Sequence, residues 1–340
     1  MDLQKLEKTV QELLSPGRGI LAADESLGTI GKRFEGVGIE SNEQSRKEYR
    51  EMLFNTDGIG GFLSGVILYD ETFRQKSSDG TPMPELLEKQ NIVPGIKVDG
   101  STVDLPLSPG EKFTQGLDGL GEKLEEYVRM GARFAKWRAV ITIGDGIPTS
   151  RCIEDNARSL GLYAAFCQEA GLVPIVEPEV LIDGDHSIEQ CFEASEWMLR
   201  AAYKALYEQG AELTGTLLKP NMIISGKGAE HQSGVEEVAR ATVECLLRGV
   251  PAAVPGIVFL SGGQTALQAT AHLNAMNSMF DNLPWELSFS YARALQEKPM
   301  EIWKGESGNV EEAQKAFYHR AKMNGAARDG KYSEDMEHAA

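Results

Sequence analysis

Eight short apolar runs recur between residues 19 and 292, and a helical pattern follows most of them. They read "GILAAD" (19–24), "GFLSGVIL" (61–68), "VPGIKVD" (93–99), "ARFAKWRAVI" (132–141), "LVPIVEPEV" (172–180), "LTGTLLKP" (213–220), "GIVFLSGG" (256–263) and "WELSFSYA" (285–292). Helix starts are signalled by the capping-box pairs Ser41…Gln44, Ser187…Gln190 and Ser233…Glu236. The segments "NARSLGLYAAFCQEAG" and "EQCFEASEWMLRAAYKALYEQG" each end at a glycine suited to a left-handed cap. Strand and helix repeated eight times without a linker predict an α/β fold, a single eight-stranded parallel βα (TIM) barrel. A chain of 340 residues is long enough for one. A doubly wound open sheet would want a glycine-rich phosphate turn after an early strand, and "GLDGLG" (116–121) follows no predicted strand. The barrel is expected over residues 1–323. The glycine-, alanine- and charge-rich stretch 324–340 reads as a flexible C-terminal tail.

In such barrels the chemistry sits where the strands end and the following loops begin. Here those ends are charged. The first strand ends at Asp24, the third carries Lys97, and the fourth carries Lys136 and Arg138. The fifth carries Glu177 and Glu179, the sixth ends at Lys219, and the seventh ends at Ser261–Gly263. Ser290 and then Arg293 close the eighth. Lys136 and Arg138 are two apart, as are Glu177 and Glu179, so each pair shares one face of its strand. Trp137 and Pro178 between them then face the helices.

Any one of these charges alone is explained by a strand that ends at the surface. Together they bring seven or more ionisable groups into one mouth, which a fold tolerates only when they pair with each other or with a ligand. Cations predominate there although the whole chain carries a net charge of −17. The mouth therefore suits an anionic substrate, while the acidic surface argues against nucleic acid or an anionic membrane as partner. No run of eighteen apolar residues exists to span a membrane. The opening "MDLQKLEKTVQELL" reads as an amphipathic helix and not as a targeting peptide. The widely spaced Cys152, Cys167, Cys191 and Cys245 suggest reduced thiols and a cytoplasmic location.

Chemistry follows from the residue types. "SGG" before "QTALQATAHL" puts small residues at a helix N-terminus, a phosphate site, with Arg293 able to clamp the same group. Lys97 and Arg138, half-way round the mouth, are placed for a second phosphate. A lysine becomes a nucleophile when burial or a neighbouring cation lowers its pKa to about 7–8. Lys219 fits that role, with Lys136 as the neighbouring cation and Glu177 and Glu179 as proton carriers. The five histidines include no i, i+4 pair, and no metal-ligand cluster can be assembled, so neither a metal nor an organic cofactor is expected.

With those residues in view, the chain resembles class I fructose-1,6-bisphosphate aldolases, the Schiff-base type. The matching stretches are "GRGILAADES", "PGIKVD", "FAKWR", "PIVEPEVLIDGDH", "GTLLKPNM", "FLSGGQ" and "FSYARALQ", in order along nearly the whole chain. The resemblance implies a Schiff base on Lys219, acid/base work by Glu177, and removal of the C4 hydroxyl proton by Asp24. Lys136 and Glu179 would tune the centre. Ser261, Gly262 and Arg293 would hold the C1 phosphate and Lys97 and Arg138 the C6 phosphate, while Ser290, Ser26 and Thr29 would also line the cleft. It further implies a glycolytic and gluconeogenic role and a homotetramer. Two departures stand out: Ala292 occupies a position where many members have glycine, and the last tyrosine is Tyr332 where animal members end in one. Rival readings are a Schiff-base aldolase or transferase for another sugar phosphate, such as sedoheptulose 1,7-bisphosphate, and a non-catalytic barrel scaffold. Loss of Lys219, Glu177 or Asp24 would have favoured the scaffold, and none is lost.

Overall fold

A computed structural model describes residues 1–338. The strands are β1 (Gly19–Ala23), β2 (Leu63–Leu68), β3 (Val93–Lys97), β4 (Thr102–Asp104), β5 (Lys112–Thr114), β6 (Phe134–Ile141), β7 (Val173–Val180), β8 (Leu217–Leu218), β9 (Gly256–Phe259) and β10 (Glu286–Tyr291). Eight of them close a barrel in the order β1-β10-β9-β8-β7-β6-β3-β2, and every barrel pairing is parallel. The eight predicted runs each contain one barrel strand. The sixth is much shorter than its apolar pattern, because Leu213–Gly215 winds into a 3₁₀ turn before β8.

Two apolar layers result from the alternation of side chains along each strand. Residues facing outward, such as Trp137, Val176, Leu218 and Phe289, pack under the helices in one large cluster. Trp137 rests on Tyr163 of the helix Ser150–Ala170, with ring centroids 5.6 Å apart. Inward-facing residues, most of them near the strand starts, form a separate cluster that includes Ile20, Ile67, Val93, Phe134, Val173, Leu217 and Val258. The helix Leu3–Leu13 plugs that end of the barrel with Leu6, Val10 and Leu13. Phe134 fills the barrel axis so closely that a β-carbon on Gly95 would lie 2.2 Å from its ring. Every step of two along these strands then moves from this apolar floor toward the charged mouth.

Several details differ from the sequence reading. The helix Glu43–Phe54 is capped one residue later than expected, by Asn42 with Ser45. Likewise Gly234, not Ser233, precedes the helix Val235–Gly249, and Glu237 accepts the Gly234 N–H. The Ser187–Gln190 box forms as read. "GLDGLG" does follow a strand, β5, but β4 and β5 make an antiparallel hairpin outside the barrel, so no dinucleotide-type turn arises. The boundary expected at residue 324 falls inside the helix Val310–Arg328. Its small residues allow close packing: a β-carbon on Gly325 would lie 2.5 Å from the Gly17 carbonyl oxygen, and Arg328 donates to the Ser15 carbonyl at 2.7 Å. Asn324 and Ala327 are fully buried. Residues 339 and 340 of the expected tail lie outside the described residues.

Candidate active site

All thirteen residues singled out in the sequence line one cleft of about 800 Å³ at the C-terminal ends of the strands. Parity brings them there. Ile20, Ala22 and Asp24 alternate inward on and just past β1, and Phe134, Lys136 and Arg138 do so on β6. On β7 the series is Ile175, Glu177, Glu179. Lys97 and Lys136 are register partners across β3 and β6, and Arg138 and Glu177 are partners across β6 and β7. Lys219 directly follows β8, and its N–H donates to the Val176 carbonyl at 2.8 Å, which continues the ladder and points the side chain inward.

At the floor of the cleft four groups form an alternating chain of charges. Lys219 Nζ lies 3.2 Å from Glu177 Oε1, and Lys136 Nζ lies 3.2 Å from Glu177 Oε2. Lys136 Nζ also lies 2.7 Å from Asp24 Oδ2. All four are at most 8% exposed. Burial alone would push the Asp24 pKa up, but the Lys136 ammonium, with help from Lys219 and Lys97, outweighs it and holds the carboxyl well below the usual range. Burial would likewise deprotonate Lys136, yet Asp24, Glu177 and Asp99 raise its pKa above that of an ordinary lysine. Lys136 is therefore a fixed cation, and its link to Lys219 runs through the Glu177 carboxylate between them.

Further up the wall Arg138 pairs with Glu179, and Lys97 Nζ lies 2.7 Å from Asp99 Oδ1. Burial opposes the charge on Arg138, and Glu179 and Glu177 raise its pKa despite that. Opposite them lies the turn Ser261–Gly263, closed by the Gln264 N–H to the Ser261 carbonyl at 2.9 Å. Gly262 and Gly263 have φ of 52° and 85°, the left-handed region that a side chain disfavours. The expected helix N-terminus lies beyond this turn: the helix Ala266–Met279 is capped by Thr265, and that box occupies the Thr265 and Gln268 N–H groups. An anion held here would thus meet the glycine turn before the helix end. The Ser290 hydroxyl is buried beside the cleft with no hydrogen-bond partner among the described residues, and Arg293 begins the helix Arg293–Trp303.

Ala292 has φ −103°, so alanine replaces glycine there without left-handed strain. Ser26 caps the helix Leu27–Gly36 through the Thr29 N–H at 3.3 Å, and its hydroxyl lies 3.0 Å from that of Thr29. Tyr332 is buried against Asn274 and Glu337 and does not line the cleft.

Sequence reasoning passed over Asp99, Lys32, Arg33, Asp183 and Lys227, all of which line the cleft. Asp99 was legible, since it stands two residues past Lys97. Lys227 was not, because the run after β8 is irregular and has no period to read. With these and Glu25 added, eight cationic side chains face six carboxylates in the cleft.

The profile of the fructose-bisphosphate aldolase class-I family matches residues 5–340. The chain is 56% identical over 333 residues to a probable fructose-bisphosphate aldolase class 1 of Xanthomonas campestris pv. campestris, covering 98% of this chain and 99% of that one. It is 52% identical over 323 residues to the cytosolic fructose-bisphosphate aldolase 6 of Arabidopsis thaliana, covering 95% and 90% of the two chains. Among solved structures, the fructose-bisphosphate aldolase of Plasmodium falciparum, in complex with TRAP and an inhibitor, superposes with a TM-score of 0.96. That chain is 47% identical, and the match covers 97% of this chain and 96% of that one.

Proposed function

The chain belongs to the class I fructose-bisphosphate aldolase family, and we propose that it performs the family's reaction with Lys219 as the amine that attacks the substrate ketone. The reaction is the reversible cleavage of fructose 1,6-bisphosphate to dihydroxyacetone phosphate and glyceraldehyde 3-phosphate through a lysine Schiff base. The observation that carries this assignment is the unbroken sequence Lys219, Glu177, Lys136, Asp24, with contacts of 3.2, 3.2 and 2.7 Å on the cleft floor.

Lys219 must lose a proton before its nitrogen can attack C2, and Glu177 is the base within reach. The C2–N bond then forms as the carbonyl oxygen takes a proton, giving a carbinolamine. Glu177 next protonates that hydroxyl, water leaves, and an iminium remains on Lys219. Asp24, held as a carboxylate by Lys136, removes the C4 hydroxyl proton. As that O–H bond breaks, a C4 carbonyl forms, the C3–C4 bond breaks, and its electron pair passes into the iminium to give an enamine. Glyceraldehyde 3-phosphate departs. Protonation of the enamine at C3 and hydrolysis of the imine release dihydroxyacetone phosphate and restore Lys219. Lys136 does not exchange protons in this scheme: its raised pKa suits it to neutralise the two carboxylates throughout. Glu179 orients Arg138 by their ion pair.

The C1 phosphate is assigned to Ser261, Gly262, Ser290 and Arg293, and the C6 phosphate to Lys97 and Arg138 with Ser26 and Thr29 beside them. Arg293→Ala is expected to weaken use of both fructose 1,6-bisphosphate and fructose 1-phosphate by about 2–4 kcal/mol. Lys97→Ala should impair the bisphosphate strongly and fructose 1-phosphate little. The ratio kcat/KM for both sugars, read as transition-state free energy, decides the matter. Equal losses on both sugars for Lys97→Ala would remove it from the C6 site.

A cytoplasmic homotetramer is the further reading we favour. No described helix is long and apolar enough to cross a membrane, all four cysteines are unpaired, and the Arabidopsis relative is named cytosolic. Light scattering on the purified protein should return four times the chain mass of 37.1 kDa; the mass of one chain would refute the tetramer.

A further inference from the structure

Two loops meet beside the turn Ser261–Gly263. Backbone bonds zip them together: Lys227 N–H donates to the Ile182 carbonyl at 2.9 Å, Gly228 N–H to Gly184 at 2.8 Å, and Gly226 N–H to His186 at 2.9 Å. The approach requires glycine, since a β-carbon on residue 226 would lie 2.5 Å from the Gly184 oxygen. The zipped loops carry the Lys227 side chain over the phosphate turn. Its Nζ lies 2.9 Å from the point where a β-carbon on Gly263 would stand, and Arg293 Nη2 lies 3.0 Å from the same point.

Two cations thus stand within about 6 Å of one another, where like charges repel unless an anion lies between them. Neither is well paired. Among the described residues Lys227 reaches only the carboxylate of Asp183, at 3.6 Å, and the lysine is half exposed and the aspartate mostly so, which makes the pair weak. Arg293 pairs with no carboxylate among the described residues. No role given above uses Lys227.

We propose that Lys227 is a further substrate-positioning residue that binds the ketose C1 phosphate together with Arg293 and leaves Asp183 to do so. The inference rests on the assignment of the Ser261–Gly263 turn and Arg293 to that phosphate. It carries a consequence of opposite sign for its partner: Asp183 competes with phosphate for the ammonium, so removing the Asp183 charge strengthens phosphate binding.

The test measures kcat and KM with fructose 1,6-bisphosphate and with fructose 1-phosphate, plus inhibition by inorganic phosphate against fructose 1-phosphate. It compares wild type with Lys227→Met, Asp183→Asn and Arg293→Ala. Lys227→Met should raise KM for both sugars and the phosphate inhibition constant about tenfold, with kcat changed less than about twofold. Asp183→Asn should lower the inhibition constant. Borohydride trapping of saturating dihydroxyacetone phosphate should survive in both, showing an intact fold and reacting centre. If Lys227→Met leaves KM and inhibition unchanged while Arg293→Ala weakens both sugars, Lys227 has no such role and the C1 site stands. A rise in KM confined to the bisphosphate would move Lys227 to the other phosphate and also overturn the proposal. If Arg293→Ala has no effect on either sugar, the underlying assignment fails instead.

Discussion

Replacing Lys219 with methionine is expected to lower kcat by about 10⁵-fold or more, the scale of losing a covalent nucleophile. Methionine keeps the unbranched shape and removes the amine. The fold should survive, because Glu177 retains Lys136 at 3.2 Å and is not left as an unpaired buried charge. A melting temperature close to that of wild type checks this. In the wild type, dihydroxyacetone phosphate with borohydride should abolish activity and add the substrate carbons to the peptide that contains Lys219. Lys136 serves as the internal control: it is just as buried and lies against the same carboxylate, yet its raised pKa keeps it protonated. Label on Lys136, or on neither lysine, would end the assignment made here.

The second large effect is expected from Asp24→Asn, which should lower the cleavage rate by about 10²–10⁴-fold, the range for removing a positioned base. Trapping of dihydroxyacetone phosphate should persist, because imine formation is assigned to Lys219 and Glu177. Loss of trapping would instead put Asp24 in the imine-forming steps. The same variant changes the pH dependence of stability. Asp24 has a depressed pKa in the folded protein, so its contribution is complete above the unfolded value of about 3.9 and is lost as pH falls through the folded value. Lys136 behaves in the opposite sense: its contribution is complete below about 10.4 and is lost as pH rises through its raised folded value. Urea midpoints of wild type and Asp24→Asn should therefore converge as pH drops below about 4. Midpoints that stay equally far apart in acid would mean that the Asp24 charge does not stabilise the fold.

The amino-acid sequence by itself determined the barrel and the strand-borne charges of its mouth. Both follow from short-range rules. An apolar run of strand length forms wherever a strand must be buried on both faces, and a period of two then says which residues point inward together. Lys136 with Arg138, and Glu177 with Glu179, were readable on that ground alone. So was Asp99, by the same parity with Lys97. Tertiary structure decided what such local patterns cannot carry. Which ammonium meets which carboxylate depends on register between strands and on barrel closure, and these set Lys136 between Asp24 and Glu177. The Thr265 capping box leaves the proposed phosphate contacts to the glycine turn before it, because the helix start fills part of its own hydrogen-bonding demand. Lys227 reaches Gly263 from an aperiodic loop held only by backbone bonds to a neighbouring loop. Composition misled at residues 324–328, where small side chains mark close helix packing. A glycine that a neighbour presses against and a glycine in a loose tail are the same letter, and only contacts made across the fold tell them apart.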